Sequence, residues 1–129
     1  MKVRIIYKEN SVNKQKHKYI QDFIKFLFEN YPINNEVKIV FLRKRIGDMT
    51  TGSRNSLGEI KILAKNRMMR DILRTLAHEW IHEYQIGVMG RKIGPDIGGI
   101  NEDEANSIAA KLLKIFEQKY PHKEYMMYE

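Results

Sequence analysis

The sequence predicts a small α+β domain: a mostly antiparallel sheet of three strands with about three helices, spanning 1–129 as one unit. Three observations predict it. The chain has 129 residues, 43% apolar and 30% charged, the size and balance of one globular core. Three short runs rich in β-branched and aromatic residues are interspersed with three stretches whose apolar residues recur at three- and four-residue steps. No internal repeat is visible, and no run approaches the roughly 20 apolar residues of a membrane span.

The elements follow in order. Residues 2–7 form the first expected strand, ended by the turn-like Glu9-Asn10-Ser11. In 12–30, Tyr19, Ile20, Phe23, Ile24, Phe26 and Leu27 make an amphipathic helix stopped at Tyr31-Pro32. Strands over 37–42 and 57–64 are separated by a polar loop, 43–56, which contains Gly47-Asp48 and Thr50-Thr51-Gly52-Ser53. A helix over 68–86 has Asn66 as its candidate cap and Gly87 as its left-handed terminator, with Leu73, Leu76, Ala77, Trp80, Ile81 and Tyr84 on its apolar face. Residues 87–100 carry five glycines and Pro95 and read as a loop. The last helix opens at Asn101, with Glu104 three residues on as a capping box. It continues through Ala105, Ala109, Leu112, Leu113, Phe116 and Tyr120 to Pro121, leaving 121–129 as a tail.

Composition excludes whole classes of chemistry. With 0 Cys, disulfides, iron–sulfur clusters, thiolate zinc sites and cysteine nucleophiles are all ruled out. A metal must be held by His, Asp or Glu. The net charge of +7 is compatible with a nucleic acid or another polyanion, but the basic residues are scattered: Lys14, Lys16, Lys18 and Lys25, then Arg43, Lys44 and Arg45, then Arg67, Arg70 and Arg74. The apolar start is too short for a signal peptide. A cytoplasmic protein without membrane contact is therefore expected.

The motif that carries chemistry is His78-Glu79-Trp80-Ile81-His82. At about 100° per residue the two histidines fall within about 40° of one another, one turn apart, where two imidazole nitrogens can grip one tetrahedral ion. Glu79 lies beside that ion rather than on it, in the place of a base that takes a proton from water. Trp80 points to the core. A zinc site needs a third ligand, and the last helix offers one. Glu102 projects within about 20° of Ala109, on the inward face, whereas Glu104 lies about 160° from Glu102 and suits the capping role. Glu102 is the expected ligand, with Glu104 the alternative. Asn106, one turn beyond Glu102, is placed to orient a ligand histidine.

His78-Glu79-Trp80-Ile81-His82, followed after twenty residues by Glu102 and then Asn106, resembles the gluzincin zinc peptidases and their H-E-x-x-H and E-x-x-x-N helices. In size the chain is similar to the minigluzincins. Glu102 to Leu113 resembles the E-x-x-A-N-x-F-A-x-x-L-L stretch of the ImmA/IrrE-type peptidases, which cleave transcriptional repressors; Ile108 stands at the aromatic position and Ile81 at that family's glycine. The resemblance covers 57–113. It implies a minimal zincin-like domain and a zinc metallopeptidase acting on a peptide or protein substrate. It also implies that 57–64 borders the cleft, Gly58 allowing another backbone to approach.

The expected chemistry is peptide-bond hydrolysis: His78, His82 and Glu102 hold Zn²⁺, which activates water, and Glu79 is the general base. Tyr84, His122, Tyr125 and Tyr128 are the candidate donors to the oxyanion, although Tyr84 projects away from the histidine face. Two other readings compete. A DNA-associated metalloprotease similar to the SprT-type enzymes would use the +7 charge, but that group has histidine where this chain offers Glu102. A metal-stabilised binding module would have its site plugged by the apolar tail Glu124-Tyr125-Met126-Met127-Tyr128-Glu129.

Overall fold

A run of β-branched and aromatic residues sets the first strand, β1 (Val3–Tyr7), and the 3.6-residue period sets the helix after it, α1 (Lys14–Asn30). Then come β2 (Val37–Leu42), β3 (Gly52–Arg54), β4 (Glu59–Leu63), α2 (Met69–Gly87) and α3 (Ile100–Lys119). The computed structural model describes residues 3–92 and 99–119.

The sheet differs from the expectation. Among the described residues it has four strands, not three, in the order β1-β2-β4-β3, and it is mixed rather than mostly antiparallel. β1 pairs parallel to β2 and β2 parallel to β4; only β3 and β4 are antiparallel. The reason lies in the connections. A helix between two neighbouring strands carries the chain back to its starting end, so α1 makes β2 run with β1. The added strand, Gly52-Ser53-Arg54, is short and polar and lies within the expected loop. It is joined to β4 by a turn in which Asn55 Oδ1 accepts from the backbone N–H of Leu57 (3.0 Å) and Glu59 (3.1 Å).

In-register rows put Ile5, Ile39 and Ile60 side by side, and Tyr7, Phe41 and Ile62 likewise. Ile39, Phe41, Ile60 and Ile62 are wholly buried in the same cluster as Phe23 and Leu27 of α1 and Leu73, Leu76 and Trp80 of α2. Trp80 points into this core as expected, and its indole N–H donates to the carbonyl of Tyr31 (2.9 Å). α3 packs along α2, and its far end is held on α1 by Phe116, whose ring meets Phe23 and Tyr19 edge-on at 4.9 and 5.3 Å between centroids.

Three expectations about helix ends are corrected. Asn66 adopts a left-handed backbone (φ 62°) and Met68 is the residue before α2, without a side-chain cap. Gly87 is helical, and the positive φ after α2 falls at Gly90 (69°). α3 begins at Ile100, so Asn101 lies inside it, and the first turn closes with Asp103 N–H on the Gly99 carbonyl (3.0 Å). Among the described residues no helix is long and apolar enough to cross a membrane. Tyr120 and the 121–129 tail lie outside the described residues, as does Pro95.

Because Phe116 anchors α3, its truncation acts at a distance. Phe116→Ala is expected to cost about 3–5 kcal/mol of folding stability, measured by denaturant unfolding, and to loosen the helix that carries Glu102.

Candidate metal centre

One turn of α2 separates His78 from His82, and their rings meet edge-on with Nε2 atoms 3.1 Å apart. α3 brings Glu102 to the same point. Its two oxygens lie 2.8 Å from His82 Nε2 and 3.1 Å from His78 Nε2. These three side chains are the group of potential metal donors among the described residues.

The donor chemistry suits a divalent ion such as zinc. Around a tetrahedral ion with bonds of about 2.0–2.1 Å, neighbouring donors stand roughly 3.3 Å apart, close to the separations seen. The tautomer agrees. Gln85 Nε2 donates to Glu104 Oε1 (3.0 Å) and to the Asn101 carbonyl (3.2 Å), which fixes the amide so that Oε1 faces His82 Nδ1 at 2.9 Å. Nδ1 of His82 therefore carries the hydrogen, and Nε2 turns its lone pair toward Glu102 and His78. Burial, reinforced by neighbouring His82, lowers the pKa of His78 and favours the neutral imidazole that a metal takes. Asn106 stands beside His78, as expected, but at a geometry that leaves His78 Nδ1 without a hydrogen bond.

Glu104 is drawn away from the cluster. Its Oε1 also accepts from Arg91 Nη1 (2.8 Å), while Arg91 reaches Asn101 Oδ1 (3.1 Å). The hydrogen bonds from Gln85 and then Arg91 lower its pKa. It thus ties α3 to the end of α2 instead of serving the capping box expected of it.

Glu79 follows His78 and is buried, with 8% of its surface exposed. Burial pushes its carboxyl up to about 6, against the downward pull of His82, while Glu102 raises it and Arg54 lowers it. Two recesses of about 340 and 320 Å³ open on either side of it. Thr50, Thr51, Gly52, Arg67 and Arg74 line the first; Ser53, Arg54, His82, Ile86 and Glu102 line the second. A larger recess of about 520 Å³ lies between the loops after β1 and β4; it shares Arg67 with the first but is not lined by His78, Glu79, His82 or Glu102.

The strand at the cleft is β3, not the 57–64 segment: β4 is flanked on both sides, and Gly58, at φ 78°, lets the chain's own Glu36 carbonyl approach. Gly52 is the glycine that matters here. A Cβ there would fall 2.5 Å from Thr75 Cγ2 and 3.3 Å from Glu79 Cγ, so only glycine lets β3 lie this close to α2. Arg54, also unrecognised in the sequence, donates from Nε (2.9 Å) and Nη2 (2.7 Å) to Glu83 Oε2 and pins β3 to α2. Its signal was a cation in a polar loop facing the acidic residue after the second histidine. Tyr84 stacks edge-on with Tyr31 (5.1 Å) and lines neither recess. His122, Tyr125 and Tyr128 lie outside the described residues.

Two outcomes are expected. Gln85→Ala removes the acceptor that orients His82 and should weaken zinc binding about 10–100-fold, read by competition with a chelating dye. The raised carboxyl of Glu79 means that, without zinc, the folded protein holds a proton the unfolded chain has released between about pH 4.5 and 6. Stability therefore falls as pH rises through that interval, by about 2 kcal/mol. Zinc-free Glu79→Gln should exceed wild type by up to that amount at pH 7.5 and match it near pH 4, in denaturant unfolding at each pH.

No family model, no curated protein and no solved structure matches the chain.

Proposed function

We propose that the protein is a zinc-dependent peptidase in which His78, His82 and Glu102 hold the ion and Glu79 is the general base. The observation that carries this reading is the convergence of two Nε2 atoms and a carboxylate from separate helices, with a buried carboxylate next in sequence to the first histidine and open to both recesses of a cleft. Zinc, when bound, supplies a Lewis acid that acidifies water and polarises a scissile carbonyl.

The chain's own groups supply the rest. The Glu79 carboxylate accepts the proton of the attacking water and returns it to the departing amine. Among the described residues β3 pairs with β4 on one side only, so its other edge offers backbone N–H and C=O groups to an extended peptide. Gly52 keeps that edge against Glu79, and the Arg54–Glu83 pair holds it there. Arg54 lines the recess shared by Glu79, His82 and Glu102, its charge matched by Glu83.

Zinc analysis joined to digestion of a mixed peptide pool tests the reading. Wild type should bind one zinc and cleave. Glu79→Gln should keep the zinc and lose at least about 100-fold in hydrolysis, and His78→Ala should lose both. Glu102→Ala should weaken zinc binding more than Glu104→Ala. Zinc-loaded wild type that cleaves nothing, or protein that takes up no zinc, overturns the proposal.

A further inference from the structure

The two ends of the cleft differ in charge. At the Arg54 end the guanidinium is matched by Glu83 within a closed pair. The other end gathers three guanidinium groups from three segments. Arg67, after β4, is fixed with its Nη atoms on the Leu63 and Asp71 carbonyls and on Thr75 Oγ1, at 2.8, 3.1 and 2.9 Å. Arg74 lies one turn before His78 on α2 and is exposed. Arg45 donates from Nε to the Thr50 carbonyl (2.8 Å), at the lip where β3 begins.

Arg67 and Arg74 line the recess itself, together with Thr50, Thr51 and Gly52. Against them stands Asp71, besides Glu79. Burial lowers the pKa of Arg67, Asp71 opposes that, and Arg45 adds to it, so Arg45 lies within electrostatic reach. Like charges held close raise one another's energy, and an anion placed between them relieves it. Arg74 forms no ion pair or hydrogen bond among the described residues. Its donors are open to a carboxylate, which the planar guanidinium meets with two parallel hydrogen bonds.

We propose that this end of the cleft, beside residues 50–52, is a subsite for an acidic side chain of the substrate, held by Arg74 and Arg67 with Arg45 at the rim. The inference deepens the peptidase reading and rests on it: the protein cuts peptides bearing Asp or Glu on one side of the scissile bond, within a few residues of it.

The test uses the full-length zinc-loaded protein and a mixed peptide pool, with cut sites read by mass spectrometry. Asp and Glu should be enriched at one position on one side of the cut. In a synthetic pair differing there as Glu and Gln, kcat/KM should be about tenfold higher for Glu. Arg74→Glu should abolish that preference and favour a Lys counterpart, while its thermal midpoint stays at the wild-type value because the side chain is exposed. Cleavage without acidic enrichment, or an enrichment that survives Arg74→Glu, overturns this inference and leaves the peptidase reading standing. Absence of all cleavage overturns the peptidase reading beneath it. If a single-stranded oligonucleotide blocks cleavage more strongly than an acidic peptide of equal charge, and Arg74→Glu relieves the block, the subsite belongs to nucleic acid and the proposal fails.

Discussion

The structure depends on the docking of α3 along α2. The helical repeat alone stacks His78 over His82, but two imidazoles on one helix leave an ion half enclosed. The third donor comes from a helix whose placement is decided by apolar packing: Ala105 and Ala109 are small enough for close approach, and Leu113 and Phe116 are wholly or almost wholly buried further along. Polar contacts then set the register. Gln85 and Arg91 hold Glu104 and Asn101, so the turns of α3 nearest the His78–His82–Glu102 group are fixed from the same end of α2.

The candidate donor group was legible in the sequence because it depends on one period. At 100° per residue, the projection of His78 and His82 and the choice of Glu102 over Glu104 both follow from counting, and the structure brings those three side chains together. The sheet was less legible. Strand direction is a property of connections, and the order strand-helix-strand at 2–42 already implied a parallel pair that local alternation does not encode. β3 was hidden because Gly52, Ser53 and Arg54 have no apolar period; they form a strand by pairing with β4, a tertiary cause. Asn66 and Gly87 misled for a related reason. Each is a residue type that favours helix ends, but Met68 is the residue before α2, the helix runs through Gly87, and the left-handed turn falls at Gly90.

Burial gives the site its chemical character. Glu79 and His82 are largely removed from water, and such groups keep polar function only where partners compensate them. His82 has Gln85, and Arg54 and Glu83 have one another. Glu79 has no such close partner among the described residues, and burial raises its carboxyl. A carboxyl raised to about 6 suits the base role proposed for it, in which a proton is both taken and returned.

The closeness of β3 to α2 also limits how the sequence can drift. The γ-methyl of Thr75 fills the space where a side chain at position 52 would begin, and it cannot rotate away freely, because Thr75 Oγ1 is held by Arg67 and by the Asp71 carbonyl. Neighbouring Arg43, Lys44 and Ile46 are exposed and free to vary in kind. Position 52 is not: a lineage that acquires alanine there must first have given up the methyl at position 75, so these two sites, 23 residues apart in the chain, can evolve only as a pair.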